Sequence, residues 1–472
     1  MPRPKPSLCL LLTALFAVAA AAAQAPAPLA RAMLQQLVNI NTTDAHGTTA
    51  AARVMQQRFL AAGFPPADIH LVGANPNKMN LVVRLRGTGV KPPILLIGHL
   101  DVVQARPQDW GTDPFHFTVR NNTYYGRGVQ DMKDGDAIFA ASLIAMKRQG
   151  YHPNRDIILA LTAAEEGGGD NGVDYLLQHQ RPLIQAAFVL NADAGGVDAF
   201  HGKPVFMNVE AAEKLYADFE LSLTSPGGHS SLPTGHNIIY DLARALGRLQ
   251  HYQFPVELNA VTRGYFAARS KLDQGQRARD EKAMLAKHPP AAAIHDLEQI
   301  PELNAVLHTT CVATRLNAGD ANNALPQNAE ATVNCRILPG TSARQVQQTL
   351  IRLVADPSVT IRYVNSNGSL QNQAPTAVSN PPVQLDPEIM RPLEQLTAAM
   401  WNNIPVVPVM ESYATDGKRT VAAGMPTYGL CGIQLDEDND RAHGRNEDLP
   451  IPAFNKGVEF YYRYLKMLTG GA

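Results

Sequence analysis

The chain has 472 residues, 45% of them hydrophobic and 18% charged, enough to pack two or three domains rather than one small module. That balance excludes a disordered, collagen-like or multi-span membrane chain. With 41 Lys plus Arg against 42 Asp plus Glu, the formal net charge of −1 gives no electrostatic reason to expect a nucleic-acid partner.

At the start, Arg3 and Lys5 precede an apolar run over residues 8–23, and small residues crowd positions 21–25. The pattern predicts a signal peptide over residues 1–25 and export, periplasmic or secreted. The alternative is an uncleaved anchor, for which the run is short against the roughly 20 residues of a span. Cys9 falls inside this segment. Cys311, Cys335 and Cys431 remain, an odd number without paired spacing, which predicts buried thiols or at most one disulfide.

Apolar residues then recur at helical spacing between residues 30 and 64 (Met33, Leu34, Leu37; Val54, Phe59, Leu60), with Gly63 as a stop. Residues 79–85 and 93–100 read as strands, the second so continuously apolar that both its faces must be covered. An amphipathic helix over 136–148, a buried strand over 156–163 and another over 188–191 follow. Strands alternating with helices predict an α/β fold built on a mostly parallel sheet.

After residue 210 the texture changes. Residues 214–224 and 329–337 alternate as half-exposed strands, 237–249 and 342–355 are helical, and 359–364 is a further strand. This predicts an α+β domain with an open-faced antiparallel sheet over 211–375. Residues 262–305, charged and helical with a break at Pro289, read as an insertion in it. A polar stretch over 365–382 returns the chain to a last α/β section, 376–472, ending in a helix over 455–468. The smaller domain is thus threaded into a larger one formed by 26–210 and 376–472.

Chemistry-bearing residues gather where strands end. His99-Leu100-Asp101 closes the best buried strand, and ligands of open parallel sheets bind beyond such ends. Residues two apart share a strand face, so Asp101 can accept from one imidazole nitrogen of His99 while the other binds a metal. Taken alone, the pair reads first as a buried histidine satisfied by its neighbour. Asp131, in Gly126-Arg127-Gly128-Val129-Gln130-Asp131-Met132-Lys133, stands before a helix and taken alone reads as its N-cap. Glu165 and Glu166 run from a strand into Gly167, Gly168 and Gly169; adjacent side chains diverge, so one can bind metal while the other faces a substrate. Asp193 ends another apolar run, and His443 lies in Ala442-His443-Gly444-Arg445-Asn446-Glu447. Two imidazoles and several carboxylates on one rim are the ligand set for a pair of borderline divalent ions such as zinc.

The ordered motifs HLD, GRGxxDMK, EEG, DAGG and AHGxNE resemble the dinuclear zinc amidohydrolase family of carboxypeptidase G, carboxypeptidase S, aminoacylase, acetylornithine deacetylase and succinyl-diaminopimelate desuccinylase. The resemblance spans nearly all of the chain after the signal segment. It implies a catalytic α/β domain with an inserted lid or dimerisation domain, two Zn2+ per chain (Co2+ or Mn2+ as substitutes), and a homodimer through the inserted domain. Carried over by motif, His99, Asp131 and Asp193 hold one metal, and Asp131, Glu166 and His443 the other. Asp101 orients His99, and Glu165 is the general base. SPGGHSS resembles the motif whose histidine, here His229, polarises the scissile carbonyl; read without the family, His229 is a turn or cap residue. NNALP and NCRILPG resemble the segments that supply Asn323 and Arg336 to a substrate carboxylate, Arg336 being equally readable as a surface salt bridge.

Three positions depart from the family pattern. Asp134 replaces a common glycine, Asp193 stands where other members have Glu, and the usual Arg soon after Thr415-Asp416 is displaced or replaced in Gly417-Lys418-Arg419. Asp193 and the texture of residues 309–340 are closest to carboxypeptidase S-like members. The expected activity is hydrolysis of a peptide or N-acyl amide bond with release of a C-terminal amino acid. An N-acyl amino acid amidohydrolase and a non-catalytic metal or peptide binder are the alternatives.

Overall fold

The computed structural model describes residues 26–470 apart from 168, 437, 438 and 440, so the signal-peptide reading of 1–25 lies outside the described residues. Two apolar runs form the middle of the molecule. Ile94–His99 and Ile157–Thr162 are buried at every position, which requires cover on both faces. They pair in parallel, and Ile94–His99 pairs in parallel with Phe188–Asn191 on its other side. The ten-stranded sheet runs in space as Ile69–Val72, Asn80–Leu85, Ile157–Thr162, Ile94–His99, Phe188–Asn191, Thr427–Gly429, Lys203–Glu213, Gly196–Phe200 and Gln434–Asp436. Val406–Glu411 pairs in parallel with Lys203–Glu213 off this path. The fold is the expected α/β type, with a parallel centre and antiparallel additions beside it.

Helix Lys133–Arg148 is buried from Lys133 to Met146 and packs on one face with Ala27–Val38 and Ile451–Thr469. It begins three residues before the predicted start because Lys133 and Asp134 are polar yet buried. The Lys133 ammonium donates to the carbonyls of Leu37 and Ile40, at 3.0 Å each, which makes that burial tolerable. Helices Gly172–His179 and Arg181–Ile184 cover the opposite face, where Leu176 and Ile184 join Val82, Leu95, Ile97 and Val189.

A second, five-stranded antiparallel sheet has the order Thr310–Ala318, Asn328–Ile337, Leu215–Thr224, Thr360–Val364, Leu370–Gln371. Phe219, Leu221, Val333 and Ile337 point into a separate core with helices Ile238–Gln250 and Ala343–Val354. Asn237 and Ser342 cap those helices, accepting from the backbone N–H of Ile239 and Gln345. Alternate residues on the same strands face the open side, as the period of two requires.

Three features differ from expectation. Thr310–Ala318 is a strand that the sequence pattern does not show, because it is an outer strand exposed over most of its length with no in-and-out alternation. Its Cys311 lies opposite Cys335, and a disulfide joins them, while Cys431 is free. The helical stretch expected within the second domain packs instead on the large sheet: Ala260–Leu272 lies against Val406–Glu411, and Val261 shares a cluster with Ala211, Ala212 and Met410. The expected boundary at residue 210 falls inside strand Lys203–Glu213. Among the described residues, no helix is long and apolar enough to cross a membrane.

Candidate metal centre

The parallel strands end on one rim, and the polar residues sit there because the chain must turn where the buried strands stop. His99 is the last residue of its strand, Asp193 follows Asn191 by two, and Glu165 and Glu166 follow Thr162 by three and four. Asp131 precedes helix Lys133–Arg148, and His443 comes from the loop before Ile451–Thr469. The rim brings all five proposed ligands together in two overlapping groups, His99–Asp131–Asp193 and Asp131–Glu166–His443, each with its donor atoms within 4.8 Å of one another. Asp131 is common to both. Its Oδ1 lies 3.1 Å from His99 Nε2 and its Oδ2 3.0 Å from His443 Nε2. Asp193 Oδ1 lies 3.4 Å from His99 Nε2, and Glu166 Oε1 2.9 Å from His443 Nε2.

Asp101 acts differently from the sequence reading. His99 Nδ1 is 3.0 Å from the backbone carbonyl of Asp101 and 3.8 Å from its carboxylate. That carboxylate is already engaged, accepting from the N–H of Glu165 (3.1 Å) and of Glu166 (3.0 Å). One residue therefore orients His99 through its main chain and the Glu165–Glu166 turn through its side chain. Since a carbonyl only accepts, Nδ1 donates and Nε2 is left for the rim. Ala164 and His443 hold left-handed backbone (φ 57° and 62°), a local cost of the kind that gathers at functional sites.

Glu447, which the sequence shows only as the last residue of a motif, is the hub beneath the centre. Fully buried, it pairs with Arg127 Nη1 at 2.7 Å and accepts from the N–H of Gly128, Gln130 and Asp131. Arg127 in turn donates to the carbonyls of His443 and Gly444. The pair thus sets both the Asp131 and the His443 loops. No local sequence signal marks it, because the pairing joins residues 320 positions apart. Asp134, the departure from the family glycine, is buried in the first turn of its helix, where burial holds its carboxyl well above the usual range.

The charges fit divalent cations. Burial pushes Asp193 up to about 7 against the pull of His99. Burial and then the charge of Asp193 raise Glu165 well above the usual carboxylate range. For His99, burial opposes the charged form, but Asp193 and Asp131 outweigh it and raise its pKa. Hydrogen bonds to Asp131 and Glu166 carry His443 up to about 10. Imidazoles held this way keep protons where two cations would relieve the acidic crowding, and the nitrogen and oxygen donors suit zinc. Glu165 stands apart: its carboxyl makes no hydrogen bond or ion pair among the described residues and belongs to neither triad.

Residues 95–467 match the model of peptidase family M20/M25/M40. The chain belongs to this family. Among its curated relatives is the N-fatty-acyl-amino acid synthase/hydrolase PM20D1 of Xenopus tropicalis, 29% identical over 381 residues, 79% of this chain and 72% of the relative. The probable carboxypeptidase S-like 2 of Dictyostelium discoideum is 26% identical over 447 residues, 93% of this chain and 84% of the relative. The M20 metallo-carboxypeptidase Sso-CP2 of Sulfolobus solfataricus has the same fold, with a TM-score of 0.70 at 18% identity, covering 93% of this chain and 99% of that one. The carboxypeptidase S-like resemblance read from the motifs agrees with these relatives.

The three second-domain residues expected to meet the substrate do not lie at the centre. His229 is exposed, and its Nδ1 lies 2.7 Å from Ser231 Oγ. Asn323 immediately precedes Ala324–Leu325, the strand that pairs with Gly228–His229, and its carbonyl accepts from the Ser230 N–H. Arg336 lies on the open side of the second sheet with its guanidinium 4.7 Å over the Tyr216 ring. Among the described residues, none of the three hydrogen-bonds or ion-pairs with the metal group, because all three belong to elements outside the large sheet. Where the two domains join, a cavity of about 520 Å³ opens, walled by Ala212, Leu215, Tyr363, Val378 and Val421, with Lys418 at its polar side.

Proposed function

We propose that this M20 hydrolase is a dinuclear zinc enzyme that cleaves a peptide or N-acyl amide bond and releases a C-terminal amino acid. One observation carries the reading: the two oxygens of Asp131 face different imidazoles, His99 and His443, with Asp193 and Glu166 completing the two groups. His99, Asp131 and Asp193 hold one ion, and Asp131, Glu166 and His443 the other. Bound there, two zinc ions supply Lewis-acid activation of water and of the amide carbonyl near neutral pH; Co2+ or Mn2+ suits the same donors. Glu165 takes a proton from the attacking water on its carboxylate and delivers it to the leaving nitrogen. Asp101 keeps Glu165 and His99 in register. His229 donates to the scissile carbonyl oxygen, and Asn323 and Arg336 receive the substrate carboxylate, brought over the rim by lid closure or by a second copy of the chain in a homodimer. The unengaged Glu165 carboxyl argues against a non-catalytic binder, which would have no use for it.

The likeness to the N-fatty-acyl-amino acid synthase/hydrolase PM20D1 favours a second reading, an N-acyl amino acid amidohydrolase. The disulfide supports export, because such bonds persist in oxidising compartments. Profiling dipeptides against N-acyl amino acids of rising chain length on zinc-loaded protein separates the two readings. Turnover of no C-terminally free amide contradicts both.

A further inference from the structure

The Thr415-Asp416-Gly417 segment, a departure point in the motif pattern, has no place in the chemistry above, yet it is among the most connected on the rim. Thr415 is buried, and all its hydroxyl capacity is used. Its Oγ1 donates to Glu213 Oε1 at 2.7 Å and accepts from Asn191 Nδ2 at 2.9 Å and from Gly417 N at 3.0 Å. Its own N–H donates to Glu213 Oε2 at 2.7 Å. With its NH2 bound to Thr415, Asn191 can turn only its Oδ1 toward the next loop, and that oxygen accepts from the backbone N–H of Asp193 at 3.2 Å. Glu213 is the last residue of Lys203–Glu213, two residues before Leu215–Thr224 begins the second sheet. A continuous path therefore runs from the root of the lid, through Thr415 and Asn191, to the main chain of a metal ligand.

Asp416 makes a parallel path. Its Oδ1 accepts from Asn171 Nδ2 at 2.8 Å, and the same amide donates to the carbonyl of Ala164, the residue before Glu165. Its Oδ2 lies 3.3 Å from Thr162 Oγ1, at the end of the strand that carries Glu165; the single proton of that hydroxyl is shared with the carbonyl of Gly98 at 3.1 Å. The packing is tight: a Cβ at position 417 would lie 2.7 Å from Glu213 Oε1 and 3.0 Å from Thr415 Oγ1, so a side chain there would push on the Glu213–Thr415 pair itself.

We infer that Thr415 is a positioning residue that fixes the Asp193 loop from the root of the lid, with Asp416 beside it fixing the turn that carries Glu165. The inference rests on the metal-centre reading. Positioning groups behind metal ligands are typically worth about 10–100-fold in metal affinity or activity.

The test compares wild type with Thr415→Val, which keeps the volume and removes the hydroxyl, and Thr415→Ser, which restores it. Zinc affinity and stoichiometry are measured by chelator competition on folded protein, alongside melting temperature without metal, kcat and KM. The expected result is about 10–100-fold weaker binding of one of the two ions in Thr415→Val, a fall in kcat exceeding any change in KM, and recovery of both in Thr415→Ser. Should Thr415→Val not fold, Glu213→Gln, which replaces one of the two oxygens that accept from the Thr415 N–H and hydroxyl by an NH2 donor, is expected to weaken the same ion. Variants that bind two ions as tightly as wild type, whatever their melting temperature, overturn the inference while leaving the metal centre standing. A wild type that binds no zinc overturns the metal centre and the inference with it.

Discussion

Glu165 and Glu166 are adjacent and chemically alike, yet the structure gives them different surroundings, with Glu166 against His443 and the Glu165 carboxyl without a hydrogen bond or ion pair among the described residues. Glu165→Gln is therefore expected to keep both ions and the fold while kcat falls about 10²–10⁴-fold, the usual span for a lost general base; steady-state kinetics with elemental analysis checks it, and near wild-type kcat removes Glu165 from the reaction. The same charges predict how stability follows pH. Asp193 is raised from 3.8 to about 7 and His443 from 6.5 to about 10, so in both cases the native state holds protons that the unfolded chain has released. The Asp193 contribution is lost as pH rises toward 7, and the His443 contribution, complete below 6.5, is lost as pH rises through 10. Lys133 and Lys214, each lowered by burial to about 7, contribute the opposite slope between pH 7 and pH 10. The ligands' share is therefore read as a difference: saturating zinc, whose binding favours deprotonated ligands, should raise the melting temperature over that of metal-free protein by more at pH 10 than at pH 7. The ligand positions were legible because strand ends and motif order place them. Glu447 and the carboxylate contacts of Asp101 were not, since which atom of a residue is engaged depends on loops distant in sequence that only folding brings together.

At the level of elements, the centre depends on how helix Lys133–Arg148 meets strand Ile94–His99. Gly98 is the point of contact: an added Cβ would lie 2.3 Å from Asp136 Oδ1 and 2.7 Å from Met132 Cε. Gly98→Ala should cost about 1–3 kcal/mol by overpacking and displace the neighbouring His99, which denaturant unfolding and zinc titration would detect. Removing the fully buried carboxylate in Glu447→Ala should cost about 3–5 kcal/mol, because Arg127 is left as an uncompensated buried charge. The buried strands were readable for the reason they are stable: six consecutive covered positions leave a continuous apolar run. Strand Thr310–Ala318 hid because exposure at an edge imposes no such pattern, and the packing of Ala260–Leu272 on Val406–Glu411 hid because a partner more than 130 residues away leaves no local mark.

Over the whole molecule, a formal charge of −1 conceals a dense local cluster, with Asp101, Asp131, Glu165, Glu166 and Asp193 on one rim. Such a cluster ties folding to cation binding. Ligand at about 1,000 times its Kd stabilises by about 4 kcal/mol, so chelation should lower the melting temperature measurably. The threading of a smaller antiparallel sheet between two stretches of the larger α/β sheet was legible from the change in periodicity after residue 210. The joint itself was not, because Lys203–Glu213 and the helices after residue 260 serve the interface between the sheets. The most direct measurement is to strip the protein of metal and follow amide hydrolysis as zinc is added back. Activity should be absent without zinc and reach its plateau at about two equivalents per chain, one for each group of three ligands; full activity in the stripped protein would contradict the dinuclear account.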